Sequence, residues 1–320
     1  MNEAIKIYIH SAAALGPQGD LRAEERKALA GDAVAADLSE KMSHFKGPEL
    51  RRIAHFSELP IVASSEALNR LGRDWQKSSA LYLGTGLGES QGTIGLFKEI
   101  MEEQKEFVSP YGFVNSVNNT AAFFIAKILG IESSNITISQ EELSFEWALK
   151  LAVNDLKNGL CKGALAGGAD ELCHPRSNHE KRIKLRPKDH MGEGSGWLYL
   201  EKEKEGALGE VVDVVTFPPS QGQWQEWVAR AVNPWAGENE AIVILPGFRM
   251  DEEEVKKLAT LIPHSAVENY LQYCGSFHTA AAFGVASIFD KKNDKEMLYI
   301  HINRDASDRI MAVSVRSYSR

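Results

Sequence analysis

The chain has 320 residues, 43% hydrophobic and 25% charged, with a formal net charge of −8. That balance excludes a disordered chain and suits two core-forming units, while the negative charge argues against nucleic acid, anionic membranes and acidic protein partners. Cys161, Cys173 and Cys274 are too few and too far apart for a disulfide framework or a zinc site; with no signal-like segment and no apolar run near the ~18 residues of a spanning helix, a cytoplasmic location is expected.

In chain order, IKIYIHSAAALG (5–16) reads as a strand running into small residues. ELRRIAHFSELPIVASSEALNRLG spaces Ile53, Phe56, Leu59, Val62 and Leu68 as a helix that stops at Gly72. SALYLGTGLGES is a strand ending in a glycine-rich turn, TIGLFKEIMEEQKEF a helix, and SVNNTAAFFIAKILGI a helix with small residues along one side. ITISQEELSFEWALKLAVNDLKNGLCKGALAGGADE (136–171) starts as a strand, turns at once into a helix, and closes on a small-residue strand, with Glu141 and Glu142 at the turn. GEGSGWLYLEKE is a further strand. After Glu205 the pattern restarts: GEVVDVVTF, QWQEWVARAV, EAIVILPGF, DEEEVKKLATLI, FHTAAAFGVASIF, EMLYIHINR and RIMAVSVRS read as strand, helix, strand, helix, helix, strand and strand. The alternation predicts a largely parallel sheet covered on both faces, in two similar βα halves, 1–205 and 206–320, joined as one compact body.

Several motifs have an ordinary structural reading. GTGLG (84–88) lacks the third glycine and the acidic residue of a dinucleotide fingerprint, and tight strand-to-helix packing accounts for it. KRIKLRPK (181–188) reads as a solvated loop, with docking of an acidic partner as its functional alternative. Trp224, Trp227 and Trp235, at near-helical spacing, read as core. His278 opens a small-residue helix and is either structural or part of a site. Ser139 and Glu142 fit a capping box, in which the serine caps the helix and the glutamate reaches back, so Glu142 has an explanation without chemistry.

Across nearly the whole chain the sequence resembles the β-ketoacyl synthases of the thiolase fold. IHSAAALGPQG, RRIAHFSELPIVASSEAL, YLGTGLGES, SPYGFVNSVNNTAAFFIAKILGI, LAGGADE and GEGSGWLYLE are similar to that family's segments and follow its order. The resemblance implies an α/β fold with the two halves packed in five layers (α-β-α-β-α). It also implies a thiolate at a helix N-terminus that accepts an acyl group from a carrier protein, with two histidines assisting decarboxylation and condensation. On the family pattern the cysteine position holds Glu142, the first histidine position Pro246 and the second His278. Tyr273 stands for a lysine, and Arg304–Arg309 (RDASDR) for a glycine-rich gate. A carboxylate is a poor thioester acceptor, and proline can neither donate a hydrogen bond nor carry charge.

The packing positions are kept where the chemical ones are changed. The chain is thus similar to a chain-length-factor-type subunit: no condensing activity of its own, no cofactor and no metal. Its implied partner is an active β-ketoacyl-ACP synthase subunit in a heterodimer, with the acyl carrier protein reached through that complex, in fatty acid, polyketide or aryl-polyene-type biosynthesis. Tyr111, Phe113, Val114, Asn115 and Asn118 are the implied tunnel or interface residues, Phe113 foremost by size. The alternatives are a malonyl-ACP decarboxylase, which Pro246 disfavours, and an acyl-binding homodimer. An acidic carrier protein finds a poor surface on a chain of net charge −8 unless the 181–188 run is presented to it.

Overall fold

The computed structural model describes residues 5–47, 50, 53–75, 78–102, 107, 110–186, 189–217, 224–232 and 241–320. Trp235, Lys188 and the EQKE stretch at 103–106 lie outside them. The first part of the chain forms β1 (Ile7–Leu15), α1 (Ser39–Met42), α2 (His55–Asn69), β2 (Ala80–Gly84), α3 (Ser90–Met101), α4 (Pro110–Asn115), α5 (Thr120–Leu129), β3 (Asn135–Ile138), α6 (Ser144–Lys157), β4 (Gly163–Asp170), α7 (Arg176–Ile183) and β5 (Gly194–Glu201). The second forms β6 (Gly209–Phe217), α8 (Trp224–Val232), β7 (Ala241–Pro246), α9 (Glu252–Leu261), β8 (Ser265–Val267), α10 (Leu271–Cys274), α11 (Ala280–Ser287), β9 (Met297–Arg304) and β10 (Ile310–Ser317).

The strands make one ladder in the order β3-β2-β4-β5-β1-β6-β10-β9-β7-β8. Read inward from its two edges, the first five strands and the last five have the same order, and they meet where Ile7, Tyr8 and Ile9 pair antiparallel with Val211, Glu210 and Gly209. Side chains alternate between two buried faces. Tyr82, Ala166, Leu198 and Leu200 point into a central core with α6 and α11, whereas Leu81, Leu83, Leu165, Trp197 and Tyr199 point outward onto α2 and α5. In the second set Tyr299, Met311 and Val313 join the central core, and Leu298, Ile300, Ile310 and Ala312 pack with Trp224, Val228, Val255 and Leu258 of α8 and α9. Helices α6 and α11 are therefore sandwiched between the two strand sets, giving the expected five layers. Helix α11 is buried at every position, as a helix apolar all round must be. An added Cβ at Gly196 would lie 2.1 Å from the Ala282 carbonyl oxygen, so a bare backbone in β5 is what lets α11 approach.

Three expectations are corrected. The sheet is mixed rather than largely parallel: β2–β3, β2–β4, β7–β8 and β7–β9 are parallel and the remaining pairs antiparallel. Residues 305–309 joining β9 to β10, for instance, are far too few for the crossover that parallel neighbours need. Lys181–Ile183 belong to α7 rather than to a loop, with Ile183 buried. Trp224 is buried, whereas Trp227 is 44% exposed, because three residues along a helix turn the side chain off the buried stripe of Trp224, Val228 and Val232.

Candidate functional site

The turn at Glu142 follows β3 directly. Glu141 has a left-handed backbone (φ 49°), sparsely populated for a residue with a Cβ, and Glu141–Leu143 form one tight turn before α6. Ser144 secures the turn: its Oγ accepts from the Gln140 amide at 2.8 Å and lies 3.1 Å from the Thr85 carbonyl and 2.7 Å from that of Glu141. The expected Ser139–Glu142 capping box is absent. Ser139 Oγ instead accepts from Asn118 Nδ2, and Glu142 turns inward. A capping box does form on α9, where Asp251 and Glu254 supply its two halves.

The Glu142 side chain is fully buried. Arg249 donates to its Oε1 from Nε at 2.7 Å and sits 2.5 Å away through Nη2; the Ala306 amide donates to Oε2 at 3.3 Å, and His278 Nε2 lies 3.6 Å from Oε1. The structure thus brings Glu142 and His278 together. Pro246 ends β7, paired with Ile302, and lines a separate cavity of about 610 Å³ that also reaches Gly247, Met250 and Ser276. Tyr273 sits partly buried at the margin of the central core. The 304–309 segment is a polar turn folded around Asp305, whose carboxylate accepts from the amides of Ser307 and Arg309 at 2.9 Å and from Arg309 Nε at 2.5 Å.

Behind Glu142 the network continues inward. Asn303 Nδ2 donates to the Glu142 carbonyl at 2.6 Å and to Glu146 Oε1 at 2.9 Å; His301 Nδ1 lies 3.6 Å from that same Glu146 oxygen, and its Nε2 is 2.9 Å from the Tyr270 hydroxyl. Burial pushes the Glu146 carboxyl up to about 8; the Asn303 amide opposes this and the Glu142 charge adds to it. Burial holds the His301 imidazole down at about 3. Both shifts favour the uncharged forms of Glu146 and His301 in this inner layer.

The glycine-rich turn holds an internal anion. Asp170 at the end of β4 accepts from the Thr85 hydroxyl and the Gly86 and Leu87 amides at 2.9–3.1 Å, and from the amide and hydroxyl of Thr279 at 3.0 and 2.8 Å. Those amides are occupied, which accords with the packing reading of GTGLG. At Gly86 an added Cβ would lie 2.2 Å from the His278 Cβ, so this glycine fixes how closely the turn approaches the histidine.

The tunnel candidates lie elsewhere. Tyr111, Phe113 and Val114 on α4 are at least half exposed, Phe113 at 61%; Asn115 is half-buried and Asn118 exposed. Phe97 and Met101 on α3, Tyr111, Phe113 and Val114 on α4, Val117 just after it and Phe123 on α5 are all exposed large apolar side chains. Sequence reasoning missed Arg249, Ala306 and the Asn303–Glu146 layer. A signal for Arg249 was available, since a carboxylate predicted in a buried pocket requires a counter-cation, and an arginine stands three residues beyond Pro246.

The ishigamide ketosynthase/chain length factor superposes with a TM-score of 0.80 at 18% identity, covering 98% of this chain and 100% of that one. AntDE:AntF, a type II polyketide synthase acyl-carrier protein in complex with its ketosynthase bound to the hexaketide, gives 0.77 at 17%, covering 98% and 99%. A beta-ketoacyl synthase from Burkholderia phymatum STM815 gives 0.72 at 15%, covering 98% and 100%. The fold is therefore the thiolase-like fold of ketosynthases. Residues 16–181 match the family profile of the beta-ketoacyl synthase N-terminal domain, and the chain belongs to the beta-ketoacyl synthase family.

Proposed function

We propose that this protein is a ketosynthase-like subunit without condensing activity, of the chain-length-factor type, which pairs with an active β-ketoacyl-ACP synthase and shapes the acyl tunnel between them. The observation that carries the reading is Glu142. At the turn where the family places its thiolate stands a buried carboxylate whose oxygens are engaged by Arg249 and the Ala306 amide. A carboxylate so neutralised is a weak nucleophile, and an acyl group on it would be a mixed anhydride rather than a thioester.

The exposed apolar surface of α3, α4 and α5 supports the pairing half of the proposal. An apolar run of this kind on a soluble domain marks an interaction site, and it adjoins β3, whose outer edge carries no strand within the described chain. Phe113, exposed here, can line a tunnel only if a partner covers it. A malonyl decarboxylase is less well supported, because an enolate oxygen arriving at His278 would meet the Glu142 carboxylate.

The test is the solution mass of the chain, alone and co-expressed with a synthase encoded near it, by light scattering after size exclusion. A stable one-to-one heterodimer supports the proposal; a homodimer indifferent to the synthase sinks it.

A further inference from the structure

We infer that the N-terminal turn of α3 is a pH-sensitive latch: the buried carboxyls of Glu89 and Glu171 hold it while they share one proton, and loss of that proton releases α3. Of the 12 residues of α3 only Ser90 is buried, so the helix is fastened to the body chiefly at this end. Glu89, its N-cap, accepts from the Gly92 amide at 2.8 Å, and Glu171, just after β4, accepts from the Gln91 amide at 3.1 Å. Those amides belong to consecutive residues of one helical turn, which brings the two carboxyls side by side. Glu89 is 2% exposed and Glu171 3%, and Glu89 Oε2 is buried without a hydrogen-bond partner. Two neutral ties complete the fastening: Arg182 Nη1 donates to Ser90 Oγ at 3.2 Å, and the His174 amide donates to Gln91 Oε1 at 2.7 Å.

Two adjacent buried carboxyls cannot both ionise unless a cation offsets them. A helix N-terminus supplies about half a unit of positive charge, enough to favour one carboxylate rather than two. The groups around the pair are already committed. On α2, burial disfavours the His55 cation, but hydrogen bonds to Glu193 and Glu58 outweigh this and raise it to about 10; its Nε2 lies 2.8 Å from Glu193 Oε1. Glu193, before β5, also accepts from the Ala36 and Leu172 amides. Asp170, ending β4, is held by Thr85, Thr279 and the turn amides. Burial pushes the Cys173 thiol up, and on α7 burial holds His179 down at about 4. Among the described residues no lysine or arginine forms an ion pair with Glu89 or Glu171. Burial accordingly raises both carboxyls, Glu89 to about 7 and Glu171 to about 8, with the Glu89 charge adding to the rise at Glu171; the Gly92 and Gln91 amides and His55 oppose it. Both folded values lie above the ordinary glutamate value of ~4.3, so the grip on α3 is full below that value and is lost as pH rises through the folded ones.

The helix so released carries Phe97, Ile100 and Met101, all exposed; an effect on pairing rests on the proposal above, whereas the latch does not. The test is hydrogen-exchange mass spectrometry of the full chain at pH 6 and pH 8.5, with rates corrected for the intrinsic effect of pH. Protection of α3 peptides is expected to fall at least about tenfold, the effect of one proton released over one pH unit, while β5 and α11 keep theirs. Glu171→Gln keeps an acceptor for the Gln91 amide and offers Glu89 an N–H in place of the shared proton, so α3 is expected to stay protected at pH 8.5. Should that variant not fold, Glu89→Gln makes the same change from the other side, with the same expected result. Equal protection of α3 at the two pH values, a fall shared equally by β5 and α11, or a fall that survives in the glutamine variants overturns the inference. A chain that never pairs with a synthase yet loses α3 protection at pH 8.5 keeps the latch and loses the pairing proposal.

Discussion

Replacing Arg249 with methionine separates the ion pair from its surroundings. The substitution keeps an unbranched apolar stem but leaves Glu142, fully buried, with the Ala306 amide at 3.3 Å and His278 at 3.6 Å as its partners among the described residues. Breaking a buried pair from one side typically costs about 3–5 kcal/mol. Protonation of the stranded carboxyl sets a ceiling on the loss. At pH 7, starting from an ordinary glutamate value of ~4.3, neutralising it costs about 3.7 kcal/mol; at pH 5.5 it costs about 1.6 kcal/mol. The variant's carboxyl is raised in the folded state, so the deficit is small below the unfolded value and grows as pH rises. Urea unfolding at the two pH values should therefore show a loss of about 2–4 kcal/mol at pH 7 and less than about 2 kcal/mol at pH 5.5. Adding Glu142→Gln to Arg249→Met should restore at least about 2 kcal/mol at pH 7, a coupling expected only of groups in contact. Equal losses at both pH values, or a double variant no better than the single one, would refute the reasoning.

Other outcomes follow from the same geometry. Glu146, held at about 8 by burial, destabilises the fold as pH rises from its ordinary value toward 8; Glu146→Gln, which can still accept from Asn303, should raise the melting temperature at pH 8.5 by several degrees and leave it nearly unchanged at pH 5, and a uniform shift at both would contradict this. Gly86→Ala places a methyl 2.2 Å from the His278 Cβ, so a destabilisation of about 2 kcal/mol or more is expected by chemical denaturation, and a silent substitution would show that the turn yields freely. Phe113→Ala should change the stability of the isolated chain by less than about 0.5 kcal/mol, as expected for a side chain 61% exposed. In the proposed heterodimer with a synthase the same substitution should lengthen the acyl products seen by mass spectrometry, and unchanged lengths would remove Phe113 from the proposed tunnel.

Periodicity made most of the elements legible, because strands buried on both faces and an all-apolar α11 leave continuous patterns that only a layered α/β arrangement can bury. Strand direction was less legible. Alternation of β and α suggests crossovers, although the few residues between EMLYIHINR and RIMAVSVRS already exclude one there and require β10 to run antiparallel to β9. The site was half legible: Glu142 and His278 do converge, whereas the capping-box reading of Glu142 failed because S-x-x-E fixes spacing but not direction, and a left-handed Glu141 rotates the next side chain inward. Trp227 shows the same limit, since a run of tryptophans at helical spacing reads as core whichever of them the helix buries.

The unusual residues of the site make physical sense only as a set. A carboxylate cannot be buried at the Glu142 turn alone; it needs a cation and a backbone donor. The cation comes from Arg249, three residues after Pro246, and the donor from Ala306, in the polar turn between β9 and β10. That turn is in turn closed on Asp305, which fixes where the Ala306 amide lies. Residues from three distant places in the sequence thus meet on one carboxylate. A cysteine placed at Glu142 alone would strand the Arg249 charge in the pocket, so on the proposed reading a condensing site would require the whole constellation to change rather than one residue.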